Sequence, residues 1–115
     1  MSRKRGNQAE DRALQYLQQQ GLKLTARNYH SRRGELDLVM TDRNCLVFVE
    51  VRERNNLDYG SAAESISETK VRKLVLAAER FRQQHQHLAN LPCRFDIVCI
   101  EDNELQWTPH AFTAD

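Results

Sequence analysis

Two acidic residues stand inside segments whose other residues are largely apolar: Asp37 in "GELDLV" (34–39) and Glu50 in "VFVEVR" (47–52), with Arg52 two positions further on. A carboxylate in a sheet interior is costly unless positive charge or hydrogen-bond donors compensate it. If the two segments form a hairpin turning at Asp42 and Arg43, Thr41 pairs with Asn44, Asp37 falls opposite Phe48, and Glu35 falls opposite Glu50. Alternation then puts Asp37, Glu50 and Arg52 on one face, with the two acids as diagonal neighbours about 7–8 Å apart at the backbone. A one-residue slip would carry Asp37 to the other face, whereas a slip of two would keep the acids together.

Facing carboxylates repel, so such a pair holds a proton or takes up a cation. A hard divalent ion suits it, since Mg²⁺ is usually held by one or two carboxylates together with water and substrate phosphates. The simpler reading is an ion pair at the rim of the sheet, Glu50 with Arg52 or Asp37 with Arg33. Glu10 serves the N-terminus of its own helix in the simple reading, and is a third acid of the site if that helix lies across the sheet. Lys70 is a surface lysine, or a phosphate ligand if the second helix starts near the acids. Basic residues cluster at 3–5, at Arg32 and Arg33, at Arg52 and Arg54, and at 70–73. Any one cluster is by default solvated surface; convergence beside the carboxylates would make them a nucleic-acid footprint.

The elements that must position these groups follow from periodicity. Ala9, Ala13, Tyr16 and Leu17 predict a helix from about Asn7 to Gln20, with Glu10 and Asp11 in its first turn and Gly21 as its stop. "LKLTARNYH" alternates like a strand. In "ELDLVM", Leu36, Leu38 and Met40 fall on one face and Glu35, Asp37 and Val39 on the other, and "CLVFVEVR" reads as a central strand. After a loop-like stretch, Ser65 and Glu68 have capping-box spacing. Val71, Leu74, Val75, Ala78 and Phe81 then predict an amphipathic helix to about Gln86. "LPCRFDIVCI" and "EDNELQW" add a strand, a turn and a short last strand. The order is helix, three strands, helix, two strands: an α/β mixed sheet flanked by helices, in which the second helix can cross over between parallel strands at 45–52 and 93–100.

At 115 residues the chain reads as one domain, 1–115. With 40% hydrophobic and 29% charged residues and a net charge of +1, it has the composition of an ordinary soluble protein, and its average charge does not point to an acidic partner. The absence of a membrane-spanning run and of a signal-like N-terminus predicts a cytoplasmic protein with no membrane partner. Cys45, Cys93 and Cys99 are scattered among apolar segments and read as small core residues rather than a zinc site. The histidines of "HQH" (85–87) suit a helix C-terminus. Trp107 reads as core cover with base stacking as the alternative, and "DYG" (58–60) as a turn with a substrate-facing loop as the alternative.

"GELDLV", "VFVEVRER", "YGSAAESI", the lysine at 70 and "RFDIV" (94–98) together resemble the YraN family of small bacterial proteins, over nearly the whole chain from "GNQAED" to "RFDIVCI". That family is in turn similar to the PD-(D/E)XK nucleases, with archaeal Holliday-junction resolvases among its closer relatives. The resemblance implies a restriction-endonuclease-like fold. It also implies metal-binding roles for Asp37, for Glu50 as the acid of the E-x-K motif, for Glu10 in the first helix, and for the Val51 carbonyl. Arg52 departs from the pattern by standing where the motif has lysine: arginine can stabilise phosphate charge yet cannot give up a proton. Leu36 stands where a proline is common.

The expected function is therefore a Mg²⁺- or Mn²⁺-dependent endonuclease acting on DNA, in branched or flapped form. Glu10, Asp37 and Glu50 would hold metal, Arg52 and Lys70 would contact the scissile phosphate, and Arg32, Arg33 and Arg54 would follow the backbone. A homodimer is open, because symmetric double-strand cleavage needs two sites. The alternatives are a nucleic-acid-binding module that no longer cleaves, and a small assembly protein with an internal ion-pair network.

Overall fold

The computed structural model describes residues 3–54 and 66–114, with side chains from residue 8 onward; "DYG" and Ser65 lie outside them. The elements are α1 (Arg3–Gln19), β1 (Lys23–His30), β2 (Glu35–Asp42), β3 (Cys45–Arg54), α2 (Glu68–Gln84), a short 3₁₀ turn (Gln86–Leu88), β4 (Cys93–Glu101) and β5 (Glu104–Phe112). The five strands form one sheet in chain order, antiparallel except for the parallel pair β3 and β4. A parallel pair needs a long connection, and α2 lies within it. The α/β order and the parallel crossover are those expected from the sequence. Among the described residues no helix is long and apolar enough to cross a membrane.

Each helix covers one face. Ala9, Ala13 and Leu17 recur every four residues and are buried; Ala13 and Leu17 pack on Leu38, Met40, Val47, Val49 and Val98. Gly21, at φ +99°, ends α1, and the Leu22 N–H returns 3.1 Å to the Leu17 carbonyl, the closure a left-handed glycine permits. On the other face Leu74, Ala77, Ala78 and Phe81 of α2 meet Leu36, Val39, Phe48 and Phe95. Phe81 is fully buried, edge-on to Tyr29 and Phe48; truncating such a ring costs about 3–5 kcal/mol. Ala77, rather than the expected Val75, completes the buried stripe.

Four local expectations are corrected. α1 begins at Arg3, four residues early, so Glu10 lies well inside the helix and outside the reach of its N-terminal dipole. The cap of α2 is Ser67, whose side chain accepts the Lys70 N–H at 3.1 Å, rather than Ser65. The β2–β3 turn is Arg43 and Asn44: Asp42 pairs with Cys45 and Leu38 with Val49, two residues from the expected register. Asp42 stays in the strand because its carboxylate meets Arg94 at 3.2 Å, and Arg43 takes the left-handed backbone (φ +60°) instead. Finally, Leu36 packs with Val39 under α2 instead of with Leu38 and Met40 under α1, so the alternation of β2 breaks at Asp37.

The β1–β2 turn is built onto α2. The Ser31 N–H donates to the Gly34 carbonyl at 2.9 Å, and the Ser31 hydroxyl accepts the Gly34 N–H at 3.2 Å, leaving Arg32 and Arg33 exposed. Gly34 passes so close to the helix that a Cβ there would lie 2.5 Å from the Lys73 carbonyl oxygen. Gly34→Ala must therefore push the turn from the helix. A loss of about 1–3 kcal/mol in urea denaturation is expected, and a neutral effect would show that this contact is slack.

Candidate functional site

Continuing the β2–β3 register past its last pair, Leu38 with Val49, would set Asp37 directly opposite Glu50. The backbone ladder stops there. The Val51 N–H donates instead to Asp37 Oδ2 at 2.8 Å, so a carboxylate takes a hydrogen bond that a strand carbonyl takes elsewhere in the sheet. With the two-residue shift the acids are still neighbours, close enough for the charge of Asp37 to act on Glu50.

Glu50 sits deeper, with its side chain 9% exposed, and its described counter-ion is Lys70 of α2 at 3.6 Å. Burial, and next the charge of Asp37, push the Glu50 carboxyl up to about 7, while Lys70 and Arg52 pull it back only in part. Lys70 reaches this point because Ser67 starts α2 one turn before it. Arg52 follows Glu50 on the same face, beside Cys99 of β4. Its Nε is buried and has no acceptor among the described residues.

Glu10 approaches from the α1 side. Burial and then the charge of Asp37 raise its pKa, while Arg27 opposes them. Arg27 Nε lies 3.5 Å from Glu10 Oε1, and Arg27 Nη2 donates to Asp11 at 2.6 Å. Asp37 is thus the common electrostatic neighbour of Glu10 and Glu50. Among the described residues no three carboxylate, imidazole or thiol groups are gathered into a ready metal cage. The donor set that does meet is Asp37 with Glu50, against the backbone of Val51, and its chemistry fits a divalent ion that takes one or two carboxylates and completes its shell with water and phosphate.

The basic residues divide into two groups. Arg32 and Arg33 line a cavity of about 380 Å³ with Lys70 and Lys73, and Lys70 links it to Glu50. They also line a second, of about 460 Å³, with Tyr29, Arg80 and Gln84. Arg54 lines neither and sits instead near Cys99 at the end of β3. Lys73 and Arg80 join the track through their spacing on α2, a signal available in the sequence; Arg27, the partner of Glu10, had none, since it read as an ordinary strand residue.

Other groups are structural. Asp96 is fully buried and satisfied by Arg94, by the Trp107 indole N–H at 2.9 Å and by the His110 N–H at 2.9 Å, where the β4–β5 register shifts. Trp107 therefore covers the core, edge-on to Tyr16. His85 stacks on Phe81, with Nδ1 2.8 Å from the Phe81 carbonyl at the end of α2. The three cysteines are free, Cys99 buried and the others half-buried.

The fold and site thus define an α/β sheet protein with a strained carboxylate pair at a sheet opening, flanked by a basic track. The chain belongs to the family described as uncharacterised protein family UPF0102, the YraN family, whose model matches residues 9–100. It is 50% identical to a UPF0102 protein of Saccharophagus degradans, over 94% of this chain and 92% of that one. It is also 50% identical to one of Pseudomonas fluorescens (93% and 91% covered) and 45% identical to one of Pseudomonas aeruginosa (98% and 95%).

The raised Glu50 carboxyl makes a signed prediction. Folded protein keeps this proton up to about pH 7, whereas an unfolded glutamate loses it near 4.5, so folding binds protons between those values. Its contribution to stability is full below about 4.5, declines as pH rises through 7, and is then flat. In chelator, Tm should fall by several degrees between pH 5 and 8 in the wild type and by distinctly less in Glu50→Gln. Equal slopes in the two proteins would rule out Glu50 as the source.

Proposed function

We propose that this chain is a nucleic-acid-binding protein acting as a divalent-metal-dependent DNA endonuclease. The observation that carries the reading is the pair Asp37 and Glu50 at the point where the β2–β3 ladder opens, short of positive charge, with Lys70 against Glu50 and joined through Lys70 to a cavity that Arg32 and Arg33 line. The restriction-endonuclease-like resemblance supplies the reaction class, and the α/β order agrees with it.

In this reading Asp37 and Glu50 hold Mg²⁺ or Mn²⁺, with the Val51 carbonyl beside them and Glu10 adding charge behind Asp37. When bound, such an ion supplies positive charge to phosphate oxygens and lowers the pKa of water. Lys70 then exchanges part of its pairing with Glu50 for the scissile phosphate, and the Arg52 guanidinium adds positive charge to the same region, stabilising charge there. Arg32 and Arg33 hold neighbouring phosphates in register. Arg52 in the lysine position favours a second reading, a binding module that no longer cleaves, because arginine cannot relay a proton.

The test is cleavage of end-labelled single strand, duplex, flap and four-way junction with Mg²⁺, Mn²⁺ or EDTA. Metal-dependent cutting is expected, reduced about a hundredfold or more in folded Asp37→Ala and Glu50→Ala. Binding of the same DNAs that is insensitive to EDTA, with no cutting, would select the second reading.

A further inference from the structure

The cavity of about 460 Å³ beyond Arg33 differs from the track leading to the acids. Tyr29 lines it with Arg32, Arg33, Arg80 and Gln84. The Tyr29 ring is held in place: it packs edge-on against Phe81 at 5.2 Å, and its hydroxyl donates to Gln84 Oε1. That bond leaves the Gln84 amide nitrogen to donate outward. A fixed aromatic ring, guanidinium planes and an amide donor around a space of small-molecule size are the groups that stack on a nucleobase and read its edge.

The two cavities share Arg32 and Arg33. From Lys70, beside Glu50, to Arg80 at the far cavity is ten residues of helix, about 15 Å, or roughly four stacked nucleotides of one strand. Lys73 and the two arginines lie between. Glu35, the carboxylate bordering this track, is 3.0 Å from His30 Nδ1. A base in a continuous duplex must be unpaired and unstacked before it can enter a cavity, a cost that a base already unpaired largely avoids.

We propose that the Tyr29 cavity receives an unpaired nucleobase, so that the substrate carries single-stranded nucleotides a few steps from the phosphate held by Lys70. This rests on the nucleic-acid reading above and narrows it to flapped or single-stranded DNA. Tyr29 stacks on the base, Gln84 contacts its edge, and Arg33 and Lys73 hold the phosphates in between.

The experiment is fluorescence anisotropy in EDTA with three probes: a blunt duplex, the same duplex with a single-stranded flap, and that flapped duplex with abasic flap sugars. Wild type should bind the flap about tenfold more tightly than its abasic form. Tyr29→Leu, which keeps an apolar contact with Phe81, should erase that difference. Gln84→Ala, at an exposed position that spares the fold, should shrink it. Lys73→Ala should weaken both flapped probes alike. Equal binding of flap and abasic flap by wild type, or a preference that survives both Tyr29→Leu and Gln84→Ala, would overturn the pocket while leaving nucleic-acid binding in place. No binding of any probe at low salt would overturn the nucleic-acid reading itself.

Discussion

The hydrogen bond from the Val51 N–H to Asp37 Oδ2 is where this sheet stops being a sheet and becomes a site. Up to Leu38 and Val49 the backbone ladder holds β2 to β3. One residue further a side chain takes over, and the break in alternation follows: Leu36 turns under α2 while Leu38 stays under α1. A carboxylate can serve as this acceptor only by bringing its charge into a partly buried place beside Glu50. Backbone satisfaction and electrostatic strain are thus coupled in one group.

The surrounding elements answer that strain incompletely. α2 contributes Lys70, β3 contributes Arg52, and β1 contributes Arg27 to the more distant Glu10. Each cation faces a particular acid, yet Glu50 and Glu10 are both left with raised pKa values because burial and Asp37 outweigh their partners. Asp96 shows what compensation looks like in the same sheet: fully buried, it is met by a guanidinium, an indole N–H and a backbone N–H, and it does structural work only. The contrast between a saturated acid and an unsaturated pair is the physical basis for treating Asp37 and Glu50 as a place for a cation.

Much of this was legible in the sequence, for identifiable reasons. The element order followed from the period of apolar residues, and the nearness of Asp37 to Glu50 followed from pairing the two segments as a hairpin, even though the register lies two residues from the expected one and the alternation of β2 breaks at Asp37. The shift itself was not readable, because Asp42 has the chemistry of a turn residue and only its contact with Arg94, fifty-two positions away, holds it in the strand. Ser65 and Ser67 are equivalent as caps until α2 is placed. The role of Glu10 changed for a similar reason: with α1 starting at Arg3, the helix dipole no longer accounts for it, and only the tertiary contact with Arg27 and Asp37 does. The joined cavities around Arg32 and Arg33 needed the close approach of Gly34 to α2, which no local pattern encodes.

The most direct test of the account is a Mg²⁺ titration at pH 8 followed by backbone amide chemical shifts. If the Asp37–Glu50 pair is a cation site, saturable shifts should concentrate at Val51, whose N–H reports on Asp37, and at Glu50, and they should disappear in Glu50→Gln. Shifts spread evenly over exposed acids, with Val51 unmoved at millimolar Mg²⁺, would contradict it and leave the pair as an internal ion-pair network.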